Sequence, residues 1–328
     1  MSADTTLKPR AMRDALLASL HLDMQRNSDI FFVTADFGSP VLDSIRADRP
    51  DRFINVGIAE QNLINVSAGL ALEGFTVFAY AIAPFITMRC FEQIRVNLAL
   101  LSEVRSLNVN LIGVGAGYSY VVSGPTHQCY EDLTLMRALP NMQVLSPSDH
   151  VAAAALASHC IARPGPKYVR LDAQVLPVLY DDEDFTLDDG FRVHATGGTV
   201  CLIATGYMVH TTIKVAQRLS RAGVAVGVID LFDITGFDED KLADLLSGYR
   251  GVVTLEEGFA GRGGLDAMMF DWVARRGMPL AIRNVGVSGR YLFELGTREQ
   301  LHERVGIGAD AVYAKVAGFV DSLASARR

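Results

Sequence analysis

Short hydrophobic runs alternate with amphipathic segments along the chain, and this alternation predicts an α/β fold. In the first half, six runs rich in Val, Ile and Phe have the length of buried strands and are separated by segments with helical periodicity. These runs are residues 30–34, 52–56, 75–80, 107–112, 143–145 and 167–171. Strands that alternate with helices form a parallel sheet covered on both faces, so a doubly wound domain is expected here.

The second half repeats the pattern after a polar interruption. The segment DDEDFTLDDG and the glycines that follow it are typical of a linker. Beyond it, predicted strands at 199–204, 224–229, 251–256 and 280–284 alternate with predicted helices at 208–221, 265–276 and 310–323. We therefore expect two α/β domains, at residues 1–180 and 199–328, joined by a linker at residues 181–198.

Composition narrows the classes of partner. The 328 residues carry a formal net charge of −7 without long runs of one sign, which argues against a nucleic-acid groove. Apolar runs stop well short of the ~20 residues that span a bilayer, and the N-terminal segment lacks the order of a secretory signal. We expect a cytoplasmic protein that binds small molecules. Its four cysteines are widely spaced and form no metal-binding or disulfide pattern.

One candidate for chemistry is Glu60 in the segment RFINVGIAEQN, residues 52–62. The segment predicts a strand followed by a helix with Glu60 in its first turn. Glu60 would then lie at the carboxyl ends of the strands, where ligands bind in open α/β folds. An acidic residue in a first turn is also favoured by the helix dipole alone, by about 0.3–1 kcal/mol. The small, apolar residues that follow Glu60 indicate burial against another chain.

Two further segments accompany Glu60. The loop GVGAGYSYVVSGPTHQ, residues 113–128, is rich in glycine and carries His127, whose imidazole titrates near neutral pH. Residues 79–100 place Phe85 and Arg89 at the start of a helix after a strand. An aromatic side chain there is either part of the core or a stacking surface for a planar ring.

These segments resemble the C-terminal half of transketolases and 1-deoxyxylulose-5-phosphate synthases, with GIAEQN and GPTHQ as the most specific matches. The resemblance implies a pyrimidine-binding domain for thiamine diphosphate, followed by a transketolase C-terminal-type domain without catalytic residues. It implies that Glu60 activates the pyrimidine ring, Phe85 stacks on it and His127 contacts the substrate. Asp36, in VTADFGS, and Arg89 are implied to lie at the cofactor.

A partner subunit is also implied. In the resembled family the diphosphate and Mg²⁺ are held by a GDG motif followed by Asn, and GDG is absent from this sequence. We expect no metal ligand on this chain, and a separate diphosphate-binding α-type chain that supplies the Mg²⁺ site. An α2β2 heterotetramer is the expected assembly, because two-fold pairing is the common symmetry of such interfaces.

The sequence departs from the family at two substrate contacts. Ser123 stands where the family has an Asp on the substrate side, and Asp172 or Ala173 stands where it has an Arg for the substrate phosphate. Loss of an Arg removes a charge-assisted contact, and an Asp there would repel an anion. The alternative anion contacts on this chain are Arg89, favoured for its place beside Phe85, and Arg10 and Arg170.

The predicted reaction is transfer of a two-carbon ketol or related acyl unit from a ketose or 2-oxo donor to an aldehyde acceptor. Two alternatives stay open: the β subunit of a 2-oxoacid dehydrogenase complex, and a non-catalytic, interface-forming subunit. The order Pro-Thr-His in the loop favours the transketolase interpretation over the dehydrogenase. The presence of both Glu60 and His127 argues against a subunit that has lost its chemistry.

Overall fold

The first domain is built on a parallel six-stranded sheet. The computed structural model describes residues 7–180 and 185–325. The strands are β1 (Ile30–Thr34), β2 (Phe53–Asn55), β3 (Thr76–Ile82), β4 (Asn108–Val114), β5 (Gln143–Leu145) and β6 (Gly165–Leu171). Their order is β2-β1-β3-β4-β6-β5, and every neighbouring pair is parallel. The predicted doubly wound domain is confirmed.

Helices cover both faces of this sheet. They are α1 (Met12–Arg26), α2 (Pro40–Asp48), α3 (Glu60–Leu72), α4 (Phe91–Gln93), α5 (Asp132–Arg137) and α6 (His150–Ala162). The short α4 is flanked by two π-helical segments, Phe85–Arg89 and Ile94–Leu100. One buried cluster joins α1 and α6 to the sheet, and another joins α3 and the π-helical segments to the opposite face.

The chain reverses direction across the sheet at β1. From β1 it moves to β2 on one side, and β3 then returns to the other side of β1. The loops that leave such a switch point diverge, and they open a crevice beyond the carboxyl ends of the strands. The segments after β1, β2 and β3 therefore converge on one crevice.

The second domain contains a mixed five-stranded sheet. Its strands are β7 (Phe191–Ala195), β8 (Val200–Ala204), β9 (Gly227–Leu231), β10 (Gly251–Phe259) and β11 (Ala281–Val287). Its helices are α7 (Met208–Arg221), α8 (Glu239–Leu246), α9 (Leu265–Arg275), α10 (Arg298–Val305) and α11 (Ala309–Ser325). The order is β11-β10-β8-β9-β7, with β7 antiparallel to β9 and the other pairs parallel.

Strand β7 lies inside the segment 181–198 that the sequence predicted as a linker, so that prediction is wrong for residues 191–195. Phe191 is buried and pairs with Leu231, which anchors β7 at the sheet edge. The strand was missed because it is short and follows an acidic stretch. Residues 181–184, also within the predicted linker, lie outside the described part of the chain.

The two domains are joined by hydrogen bonds and buried ion pairs. The backbone N–H of Ser146 donates to Phe232 O at 2.7 Å, and that of Ile234 donates to Val144 O at 2.8 Å. Arg298 of α10 lies 2.6 Å from Asp172, just beyond β6, and also pairs with Glu257 of β10.

The four cysteines are buried and free. Within the described ranges, no helix is long and apolar enough to cross a membrane.

Candidate cofactor and substrate site

Glu60 is buried at the first position of α3, at the rim of the crevice. Its residue exposure is 4%, which is unusual because carboxylates are seldom buried without a partner. The partner is Arg89, whose Nη1 donates to the two carboxylate oxygens at 2.9 and 2.8 Å. The preceding turn contains Gly57, whose φ of 75° is in the left-handed region that glycine adopts readily.

Phe85 lies between Arg89 and His127. The guanidinium carbon of Arg89 is 4.2 Å from the centroid of the Phe85 ring, a cation–π distance. The ring of His127 meets Phe85 edge-on, with centroids 5.3 Å apart and an interplanar angle of 68°. The structure thus brings together Glu60, Phe85, Arg89 and His127, which the sequence analysis had singled out.

His127 is half-buried on the glycine-rich loop and is oriented by its neighbours. Its Nδ1 lies 3.0 Å from Thr126 Oγ1, and Tyr120 packs against the ring with centroids 6.3 Å apart. Because Nδ1 is engaged by Thr126, Nε2 is the ring nitrogen available to a ligand. Ser123 is exposed on the same loop, where its backbone N–H lies 3.4 Å from Tyr120 O.

Asp36 is exposed in the loop after β1 and is held through Asn55. Its backbone N–H donates to Asn55 Oδ1 at 3.1 Å, and Asn55 Nδ2 donates to Asp36 Oδ1 at 3.0 Å. Asn55 Oδ1 also accepts from the Gly57 N–H at 2.9 Å. Among the described non-glycine residues, Asp36 alone has a positive φ, 53°. Asn55 therefore ties the loop of Asp36 to the turn that leads to Glu60.

A polar cluster that sequence reasoning missed lies at the start of α1. Arg13 Nε donates to Asp14 Oδ1 at 2.8 Å, and Ser39 Oγ donates to the same oxygen at 3.0 Å. Burial raises the pKa of Tyr80 and that of Tyr120, the latter to about 12, while the charge of nearby Arg13 opposes the rise in both. Tyr120 in turn packs against the ring of His127.

Two expectations about a substrate anion need correction. Arg170 is 2% exposed and donates to Asp132 at 2.7 Å and to Glu257 O at 3.0 Å, so it is a buried interdomain residue rather than an anion site. Asp172 is also buried, and its ion pair with Arg298 compensates the charge that was expected to repel an anion. Arg10 is exposed.

Glu257 is buried between two basic side chains, Arg298 and His302. Burial alone would raise the pKa of Glu257, but Arg298 and His302 outweigh burial and hold it well below its usual range. Within residues 7–180 and 185–325, no group of three or more His, Cys, Asp or Glu residues could hold a metal ion.

Fold and site together define a two-domain α/β protein whose first domain presents a buried acid, an aromatic ring and an imidazole at one sheet edge. Residues 8–178 match the family described as "Transketolase, pyrimidine binding domain", and residues 190–312 match "Transketolase, C-terminal domain". The chain belongs to the transketolase family. The resemblance drawn from GIAEQN and GPTHQ is thereby confirmed.

Individual relatives are similar over most of the chain. An apulose-4-phosphate transketolase subunit of Actinobacillus succinogenes is 30% identical, over 80% of this chain and 83% of the relative. The 6-deoxy-6-sulfo-D-fructose transketolase subunit SqwH of a Clostridium species is 29% identical, over 94% of each. A solved structure described as "Split gene transketolase, inactive beta4 tetramer" superposes with a TM-score of 0.84 at 32% identity, over 95% of this chain and 98% of that one.

Proposed function

We propose that this chain is the pyrimidine-binding subunit of a split, thiamine diphosphate-dependent transketolase. The observation that carries the proposal is the meeting of Glu60, Phe85 and His127, distant in sequence, at one edge of a transketolase-family domain. The reaction is transfer of a two-carbon ketol unit from a ketose or 2-oxo donor to an aldehyde acceptor. The assignment to a split enzyme goes beyond membership of the transketolase family.

The residues fit the pyrimidine end of thiamine diphosphate. A buried carboxylate beside an aromatic face suits a flat ring with nitrogen atoms at its edge: Phe85 would stack on the ring and Glu60 would hydrogen-bond a ring nitrogen. Glu60 would hold and return a proton at that nitrogen. When bound, the cofactor supplies a nucleophilic carbon that can attack a carbonyl group.

His127 is proposed to act on the substrate. With Nδ1 beside Thr126, its Nε2 is available to hydrogen-bond a substrate hydroxyl or carbonyl oxygen. The ring of His127 contacts Phe85 edge-on, whereas Arg89 lies against Phe85 and donates to Glu60. Glu60 and His127 would therefore serve different ligands: Glu60 the cofactor and His127 the substrate. Ser123, on the same loop, stays a predicted substrate contact.

Arg13 is our candidate for the residue that binds an anionic group on the substrate. It is half-buried and pairs with Asp14, which also binds Ser39 of the loop after β1, and its charge opposes the rise in the pKa of Tyr120, the neighbour of His127. The names of two relatives specify a phosphate or sulfo group on the sugar, which a guanidinium can bind. Ser39 and Asp14 would orient Arg13 rather than bind the anion themselves.

A partner chain completes the proposed enzyme. The sequence contains no GDG motif, and the relatives named above are transketolase subunits. Apolar side chains are exposed close to Glu60 and Arg89, including Ile58 at 77% exposure and Met88 at 40%. We propose that a diphosphate-binding α-type subunit with Mg²⁺ covers this surface in an α2β2 assembly, with Asp36 near the interface. Without that subunit, we expect the chain to self-associate and to be inactive.

The test is Glu60→Gln in the complex reconstituted with the diphosphate-binding chain. Loss of the proton-transfer group is expected to reduce ketol transfer by about 10²–10⁴-fold, measured with a ketose donor and an aldehyde acceptor. The matched control is Glu73→Gln, at the exposed C-terminal end of the same helix, which is expected to retain full activity.

Unchanged turnover of the Glu60→Gln complex would refute the assignment. The dehydrogenase alternative makes a different prediction: the wild-type complex would then reduce a lipoyl domain with a 2-oxoacid and would not transfer a two-carbon unit. The non-catalytic alternative predicts that activity of the partner is independent of this chain.

A further inference from the structure

One guanidinium group makes both contacts that the pyrimidine ring would need. Nη1 of Arg89 donates to both oxygens of Glu60 at 2.9 and 2.8 Å, and the guanidinium carbon lies 4.2 Å above the Phe85 ring. A guanidinium is planar and delocalised, and it both stacks on aromatic rings and donates to carboxylates. In shape and in hydrogen bonding it resembles the edge of an aminopyrimidine.

These contacts exclude a second occupant. The carboxylate of Glu60 is 5% exposed, so little of it is open for another donor while Arg89 is bound. The face of Phe85 is similarly covered at stacking distance. A ring that stacks on this face of Phe85 and bonds to Glu60 requires Arg89 to move.

Arg89 is able to move without disturbing the fold. Its side chain is 49% exposed, so the guanidinium has solvent into which it can rotate once a ligand takes over its contact with Glu60. Its backbone is fixed separately, because Gln61 Nε2 donates to Arg89 O at 3.2 Å. The side chain can therefore change position while the π-helical segment stays in place.

The contact between Arg89 and Glu60 also has a physical reason to form. A buried carboxylate without a counter-charge is strongly unfavourable, and the ion pair with Arg89 removes that penalty. Contact with the Phe85 ring adds a cation–π attraction. The arrangement in which Arg89 covers Glu60 and Phe85 is thus stabilised, and a pyrimidine ring cannot share these contacts.

We propose that Arg89 is an internal placeholder for the pyrimidine ring, which occupies the site of the free subunit and is displaced when the cofactor binds. The inference rests on the proposed function. A placeholder lowers the apparent affinity of the site for the cofactor, because only the fraction of molecules with Arg89 displaced can bind it. It also gives the buried carboxylate of Glu60 a counter-charge until the active complex has formed.

The test is Arg89→Met in the complex with the diphosphate-binding chain, with thiamine diphosphate titrated calorimetrically in the presence of Mg²⁺. Methionine keeps an apolar stem of similar length but cannot pair with Glu60. We expect binding to become about tenfold tighter, a difference of about 1.4 kcal/mol. The matched control is Arg95→Met, an exposed arginine on the next π-helical segment, for which no change in affinity is expected.

Equal or weaker binding by Arg89→Met would overturn the placeholder, and weaker binding would make Arg89 a direct cofactor contact. A second measurement uses the unmodified complex, crystallised without and with thiamine diphosphate. Arg89 is expected on Glu60 in the first crystal and away from it in the second; a retained Arg89–Glu60 contact in both would also overturn the proposal. Absence of cofactor binding by every variant, including the unmodified complex, would instead refute the proposed function.

Discussion

At the scale of single residues, Phe85 connects the two parts of the candidate site. Its ring meets the guanidinium of Arg89, which is bound to Glu60, and it meets the ring of His127 edge-on. Because His127 is also held by Thr126 and Tyr120, its imidazole is oriented before any substrate binds. Pre-orientation of this kind supports a role in proton transfer or hydrogen bonding to the substrate.

Replacement of His127 by Gln should separate substrate chemistry from cofactor binding. We expect kcat/KM for ketol transfer to fall by about 10²–10⁴-fold, because the imidazole can no longer exchange a proton. Cofactor affinity should be unchanged, since in the proposed arrangement Glu60 and Phe85, not His127, hold the pyrimidine ring. The control is His21→Gln, which removes a histidine paired with Asp48 on the first domain. An equal loss of cofactor affinity would contradict the division of roles.

Local patterns predicted some site residues and missed others for a physical reason. Glu60 and His127 follow predicted strands, so their arrival at the same sheet edge can be inferred from the order of elements. The bonds of Ser39 to Asp14 and of Asn55 to Asp36 join positions 25 and 19 residues apart, and only the fold brings them together. Burial of Arg170 likewise depends on contact with the second domain.

At the scale of elements, the sequence predicts those whose hydrophobic pattern is strong. The predicted runs at 30–34 and 143–145 match β1 and β5, and the predicted helix at 208–221 matches α7. Strand β7 was missed because much of its length is partly exposed at a sheet edge. The π-helical segments could not be predicted from periodicity, since their residues are as apolar as those of an ordinary helix.

The turn before β8 provides a test at this scale, through Gly198→Ala. Gly198 has a φ of 72°, and an added Cβ would lie 1.8 Å from the carbonyl oxygen of Ala225. Strain and collision with fixed backbone should lower the free energy of unfolding by more than about 3 kcal/mol. Urea unfolding would measure this.

Gly223→Ala is the matched control for that measurement. Gly223 also has a positive φ, 81°, but open space surrounds the added Cβ. Only the conformational cost of about 1–2 kcal/mol is expected there. Equal losses at Gly198 and Gly223 would show that the contact with Ala225 relaxes freely.

At the scale of the whole molecule, buried polar groups hold the two domains together. Asp230 of β9 accepts hydrogen bonds from the hydroxyls of Ser148 and Tyr180, which belong to the first half of the chain. His210 Nε2 lies 2.7 Å from Ser148 O in the same cluster. Burial raises the pKa of Asp230 to about 7, because a charged carboxylate is disfavoured there.

This shift makes the stability of the folded protein depend on pH. In the unfolded chain an Asp titrates near pH 4, whereas in the folded protein Asp230 keeps its proton up to about pH 7. The stability that it contributes is therefore complete below about pH 4 and is lost as the pH rises through about 7. The slope between those values is at most about 1.4 kcal/mol per pH unit.

Asp230→Asn should remove this contribution to the pH dependence. An amide cannot ionise but can still accept from both hydroxyls, so the variant should gain stability relative to the wild type as the pH rises from about 4 to about 7. The difference in unfolding free energy between the variant and the wild type cancels the contributions of other titrating groups. These include Glu256, whose pKa burial also raises to about 7. The control is Asp244→Asn on the exposed face of α8. A difference that is constant with pH would contradict the prediction.

The π-helical segments beside the crevice have a consequence for insertions and deletions. A π-helical turn holds more residues than an α-helical one, so removal of one residue from Phe85–Arg89 would allow an ordinary helix to form. Because the shortened turn takes up the missing residue, Phe85 and the helix that follows would keep nearly the same relative orientation. Deletions are usually tolerated in loops and harmful in helices; here a single-residue deletion would be absorbed by the change of helix type and would leave both the site and the sheet intact.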